Sequence, residues 1–228
     1  MTQVSITMLN SMADRDFETA LDRHAAWGLR HLDVKDSVFG KRVADLSDAE
    51  AHRAAELIDA RGLSVYCMST QLFHGDVEVG EQAFRAAHLE PLERAIAVAR
   101  ILRPNLFRLL SARTIRRGQV DNSIAWLRAE QPWVIACYRE AVERLAAAGG
   151  DALHWKSSLE DASWPVREIT RQVVADGVSP VICLNGSHGQ RKPGYPYDDV
   201  LARDLAFARE IASGVETASG VETAGGGR

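Results

Sequence analysis

The sequence predicts an α/β fold in which short apolar strands alternate with amphipathic helices around a parallel sheet. Three observations carry that prediction. A phrase recurs in which a helix ends at a glycine and an apolar strand follows, as at Ala25-Ala26-Trp27-Gly28 before Leu29–Lys35, Asp59-Ala60-Arg61-Gly62 before Leu63–Ser69, and Ala175-Asp176-Gly177 before Val181–Asn185. Each glycine stands where a helix terminates on a left-handed residue, a conformation that costs glycine nothing. Gly28 and Gly62 are also spaced by about one βα unit, roughly 30 to 35 residues, which is the period of a parallel sheet. Finally, Ser47-Asp48-Ala49-Glu50 is a capping box, so the helix that stops at Gly62 is marked at both ends.

The elements follow in order. A first strand is expected over Val4–Leu9, a second ends at Asp33-Val34-Lys35, and a third ends at Ser69. The helix after the capping box carries Ala54, Leu57 and Ile58 on one face. Residues 81–102 are helical by pattern, with Leu92, Ile96, Ala99 and Leu102 aligned and Pro91 marking a kink or a fresh start. The fourth strand is expected over Leu106–Leu110. Pro132 suits a first helical position, and Ile135, Tyr138, Val142 and Leu145 follow at helical spacing up to Gly149-Gly150. A short strand at 152–156, a helix at 164–176, a strand at 180–185 and a last helix at 198–212 complete the series.

That makes six strands, each followed by a helical segment, whereas a closed (β/α)8 barrel needs eight. The expected fold is therefore an incomplete (β/α)8 barrel in one domain, residues 1–212. Residues 213–228 contain most of a doubled Ala-Ser-Gly-Val-Glu-Thr phrase and end in Gly-Gly-Gly-Arg, a composition expected to form a disordered low-complexity tail.

Composition narrows the function classes. The formal charge of −4 gives no overall field for polyanions, although Arg103, Arg108, Arg113, Arg116 and Arg117 cluster locally, so nucleic acid is not the expected partner. Cys67, Cys137 and Cys183 form no C-x-x-C pair and sit mostly among apolar neighbours, as reduced core residues do. No cationic start leads into an apolar run at the N-terminus, and no run approaches the roughly 18 residues of a membrane span. A cytoplasmic location and no membrane partner are the corresponding expectations.

Four segments taken in order carry a resemblance: Asp33-Val34-Lys35, Leu46-Ser47-Asp48-Ala49-Glu50, Gly62-Leu63-Ser64-Val65 leading to Ser69, and Phe107-Arg108-Leu109-Leu110-Ser111. Together they resemble the first four βα units of xylose-isomerase-like barrels of the sugar phosphate isomerase/epimerase family. Leu153-His154-Trp155-Lys156-Ser157 resembles the family's seventh strand. Trp164-Pro165 through Ile169 and Val181–Gly186 resemble its last helix and eighth strand. On that alignment strands five and six are missing, with the join near Gly149-Gly150-Asp151.

The resemblance implies a divalent metal, Mn, Mg, Co or Zn, held by a Glu, an Asp, a His and a Glu on strands five to eight. It further implies proton transfer between adjacent sugar carbons through an enediolate. Of those ligands the His is matched by His154, and Asn185 stands at the strand-eight position, able to coordinate through its carbonyl but without useful basicity. His188, in the loop after that strand, is a further candidate ligand, and a flexible polar loop is the other reading of that segment. His154 is read either as a ligand or as a strand-end hydrogen-bonding residue.

Asp33, Lys35, Ser69, Arg108, Ser111 and Lys156 fall at strand ends, where a parallel α/β protein docks ligands, and are candidates for binding sugar hydroxyls or phosphate. Ordinary strand-end solvation, or an ion pair of Asp33 with Lys35, is the alternative. His74-Gly75-Asp76 has the residue types for a metal or a proton relay, and a chance loop triplet accounts for it equally. His24, His31, His52 and His88 are expected to be surface or structural. Two functions stand against each other: an isomerase or epimerase of a small sugar or sugar phosphate, and a non-catalytic barrel remnant that binds a small ligand or a partner chain. Missing strands leave two sheet edges exposed unless the gap closes or another subunit covers it, so a homo-oligomer is also anticipated. An abasic-site endonuclease relative would need a metal cluster and a cationic face that the sequence does not display.

Overall fold

A computed structural model describes residues 5–116, 123–148, 155–157, 181–184 and 197–218. Among the described residues six strands lie in one sheet: β1 (Ser5–Leu9), β2 (His31–Val34), β3 (Ser64–Ser69), β4 (Leu106–Arg108), β5 (Trp155–Ser157) and β6 (Val181–Leu184). Every pairing is parallel, and the order is β4-β3-β2-β1-β6-β5. This is the circular order of a (β/α)8 barrel with a gap between β4 and β5. The last strand lies beside the first, and the strand before it lies next in turn, which is where seventh and eighth barrel strands belong.

The helices are α1 (Asn10–Ala13), α2 (Phe17–Ala26), α3 (Asp48–Asp59), α4 (Glu81–His88), α5 (Leu92–Leu102), α6 (Ser123–Glu130), α7 (Pro132–Ala147) and α8 (Tyr197–Ala218). Both ends of α3 are as the sequence indicates. The Ser47 hydroxyl accepts from Glu50 N while the Glu50 carboxylate accepts from Ser47 N at 2.8 Å, and Gly62 follows the helix with φ 64°. Gly28 plays the same part after α2, with φ 69°. Pro91 begins a new helix: α4 stops at His88, and α5 opens directly after the proline.

Several elements differ from expectation. β4 ends at Arg108, two positions before Leu110, because the backbone beyond it is taken over by a side chain described below. α6 carries no strong apolar stripe, so periodicity does not reveal it. The last helix runs to Ala218, past residue 212.

The core has two parts. The larger packs Leu32, Val34 and Met68 of the sheet against Ile58 of α3, Leu92, Ala95 and Ile96 of α5, and Cys137 of α7. The smaller packs Met8 and Leu9 against Ala20 of α2 and Leu201 and Leu205 of α8. No described helix is long and apolar enough to cross a membrane.

Candidate functional site

Strand alternation divides the sheet into two chemically different faces. Register aligns Met8 with Leu32, Val34 with Met68 and Met68 with Phe107, and these residues meet the helices. The alternate positions align Asp33 with Cys67, Cys67 with Leu106 and Ser69 with Arg108. That second face looks into the barrel and sets the polar Asp33, Ser69 and Arg108 among the apolar Leu9 and Leu106. Asp33 and Ser69 are fully buried on it, and Cys67 Sγ lies 3.5 Å from Ser69 Oγ, as two residues on one side of a strand should.

Buried polar groups hold the strand ends in place. The Asn10 side chain accepts from Lys35 N at 3.0 Å and donates to Asp36 O at 2.7 Å, tying the β2 loop to the start of α1. Thr70 and Arg108 are joined twice: the Thr70 hydroxyl donates to Arg108 O at 2.8 Å, and Arg108 Nη2 donates to Thr70 O at 3.2 Å. Among the described residues no acceptor meets the buried Nε of Arg108.

A third strut is made by Tyr138 of α7. Leu110 N donates to Leu72 O at 2.9 Å, so a continuing parallel ladder would next bring the N–H and C=O of His74 to Leu110 O and Ala112 N. Phe73 instead turns left-handed, with φ 68°, and His74 N donates back to Gln71 O. The Tyr138 hydroxyl fills the vacated position, donating to Leu110 O at 2.5 Å and accepting from Ala112 N at 2.7 Å. Burial pushes this phenol up to about 12. His74 is thereby free to face the loop after β2.

The predicted residues fall into three groups. Asp33, Ser69 and Arg108 are brought together on the inner face of adjacent strands, with Lys35 one residue beyond β2. The salt bridge of Lys35 is with Asp36, at 3.4 Å. Ser111 is exposed, in the stretch that Tyr138 anchors at Leu110 and Ala112. His154, Asn185 and His188 lie outside the described residues, as does the side chain of Lys156, whose backbone belongs to β5. Among the described residues no group of three His, Cys, Asp or Glu side chains is placed to hold a metal ion.

Two of the remaining histidines diverge from each other. His24 is fully buried, its Nδ1 2.7 Å from Ala20 O, and burial holds its imidazole below the ordinary range. His88, by contrast, lines a cleft with His74, Lys35 and Arg42, although its place on a helix suggests only a structural role. Asp76 accepts from Glu78 N at 2.9 Å as a helix cap, so of His74-Gly75-Asp76 only the histidine faces the cleft. Tyr138 and His88 escaped sequence reading because their partners are distant in the chain. The apolar spacing that marks Tyr138 as a core position was the only signal available.

No protein-family model matches the chain, and no curated protein matches it. Among solved structures it is similar to an L-ribulose 3-epimerase, with 14% identity and a TM-score of 0.57 over 99% of this chain and 100% of that one. It is also similar to a D-psicose 3-epimerase in the presence of D-fructose, with 11% identity and a TM-score of 0.51 over 94% and 98% of the two chains. Strand order, parallel pairing and these likenesses agree: the described residues form an incomplete (β/α)8 barrel fold, similar to that of these two proteins.

Proposed function

We propose that the chain is a sugar isomerase or epimerase, acting on a small sugar or sugar phosphate with the help of a divalent metal. The observation that carries this reading is the inner face, where Asp33, Ser69 and Arg108 share one side of neighbouring strands at their C-terminal ends. That is where (β/α)8 enzymes assemble their sites. The two proteins of similar fold named above are 3-epimerases of ketose sugars, which gives the reading its reaction class.

In this reading Ser69 and Arg108 bind sugar hydroxyls, with Arg108 offering its Nε–H. Lys35, Lys156 and Ser111 bind at the rim. Asp33 is the one acidic residue among the inward-facing positions of β2 to β4 and takes the proton-moving role that Asn185 cannot fill. His154, Asn185 and His188 would hold the cation, their imidazole nitrogens and amide oxygen being donors that Mn, Mg, Co or Zn accept in different measure. When bound, such a cation supplies Lewis-acid polarisation of a sugar carbonyl.

The test is proton exchange in D2O, followed by NMR on a panel of ketoses and aldoses with each of the four metals. Deuterium entering the carbon next to the carbonyl, and lost in Asp33→Asn, is the expected result. Absence of exchange and of turnover with all four metals defeats the reading. Metal titration of wild type beside His154→Ala tests the ligand assignment separately.

A specific observation favours a second reading, a non-catalytic remnant that binds a partner chain. Among the described strands β4 and β5 end the sheet, and terminal strands offer unpaired backbone groups. Light scattering that shows a monomer with tight metal binding would dismiss it.

A further inference from the structure

Between the loops that follow β2 and β3 lies a cleft of about 220 Å³. Lys35 and Arg42 line it from the first loop, Thr70, Gln71 and His74 from the second, and His88 from the last turn of α4. Its volume is below the roughly 300 to 1,000 Å³ of pockets that enclose a drug-sized ligand, so it suits a small group. Four of those six side chains are cationic or can become so. The single carboxylate on the wall, Asp45, already accepts from Arg42 at 2.6 and 3.1 Å.

The lining is built into the fold. Lys35 has a side chain only 12% exposed, fixed beside Asp36 and by the Asn10 strut at its own backbone. His88 packs edge-on to Phe84 at 4.5 Å and stacks on Phe73 at 6.0 Å. Its Nε2 lies so near Gly75 that a Cβ at that position would stand 2.2 Å away, so any larger residue there would displace the His88 ring. His74 faces the cleft because the Tyr138 hydroxyl occupies its ladder position. A wall on which Lys35, Arg42, His74 and His88 converge, its one carboxylate already paired with Arg42, is poorly matched to a cation and well matched to an anion.

We propose that this cleft is an oxyanion site that takes a phosphoryl group, with Lys35 and Arg42 as fixed charges and His74 and His88 as its hydrogen-bonding wall. A phosphoryl dianion offers acceptor oxygens in several directions, as donors converging from two loops and a helix require. The group belongs either to the sugar substrate, since Lys35 and Thr70 adjoin the strand ends, or to a separate phosphorylated effector. In the first case the inference rests on the epimerase reading; in the second it stands without it.

Calorimetric titration of the full chain with inorganic phosphate at physiological salt tests the site. Saturable one-site binding is expected, weakened about tenfold or more in Lys35→Met, as loss of a charge-assisted contact implies. Arg42→Gln provides the same test should Lys35→Met fail to fold, with a similar loss expected. Displacement of phosphate by a sugar phosphate but not by other phosphomonoesters assigns the group to the substrate; equal displacement by all of them assigns it to an effector. No saturable binding, or wild-type affinity in both variants, overturns the proposal. Turnover of free sugars without phosphate binding defeats this site and leaves the epimerase reading intact, whereas phosphate binding without turnover does the reverse.

Discussion

The two faces of one sheet are built from the same strands and obey opposite rules. On the helix side, Leu32, Val34 and Met68 are fully buried among Ile58, Leu92 and Ile96, and their contribution is apolar area removed from water. On the inner side, one residue away along the same strands, Asp33 and Ser69 are just as buried but contribute polar atoms. Burying a carboxylate at that depth opposes folding unless neighbours satisfy it. The comparison teaches that the helix-facing residues hold the sheet while the inner residues are available for chemistry, so substitutions on the two faces should separate stability from binding.

The largest effect should come from the helix side. Leu32→Ala leaves a cavity between β2 and the helices and should cost about 2–5 kcal/mol, read as a lower urea midpoint with an unchanged slope. Its inner-face neighbour provides the contrast. Asp33→Asn keeps the shape of the side chain, and we expect it to move the urea midpoint less than Leu32→Ala does while abolishing proton exchange on a sugar substrate. If Asp33→Asn unfolds the protein as Leu32→Ala does, the division of labour between the faces is wrong.

Tyr138 ties the helix-side core to the loop beyond β4, since its ring packs 4.5 Å from Phe73 and its hydroxyl bonds Leu110 and Ala112. Tyr138→Phe strips partners from Leu110 O and Ala112 N and should cost about 1–3 kcal/mol. Faster hydrogen exchange at the Ala112 amide would report it directly. The phenol, pushed up from 10.0 to about 12, adds a pH test. A group whose folded value is raised contributes stability that is complete below its unfolded value and disappears as pH climbs through the folded one. Wild type should therefore lose stability between about pH 10 and pH 12, and Tyr138→Phe should lack that part of the slope.

How far the sequence reveals this molecule depends on how local each feature is. Gly28 and Gly62 were readable because a left-handed helix end demands glycine from its immediate surroundings, and the parallel order followed from their spacing. Asp33, Ser69 and Arg108 were readable as strand-end polar residues because period-two alternation is also local. The early end of β4 was hidden, since the hydroxyl that takes over its backbone comes from Tyr138, 28 positions from Leu110. His88 was hidden for the same reason: its helix position says nothing about Gly75 or Lys35 until the chain is folded.

The smallest effect belongs to the exposed cap of α3. Ser47→Ala removes half of the α3 capping box and should cost about 1 kcal/mol, with proton exchange and phosphate binding unchanged. Glu50 gives that cap a pH signature, because the hydrogen bond from Lys41 at 2.6 Å and those from Ser47 hold its carboxyl down from 4.5 to about 2. A lowered folded value means stability that is complete above the unfolded one and lost as pH falls through the folded one. Its contribution should fade between about pH 4.5 and pH 2 in acid titration and be missing from Glu50→Gln. Since α3 contributes Ile58 to the helix-side core and nothing to the inner face, a change in sugar chemistry from either cap variant would show that the two faces are coupled through this helix.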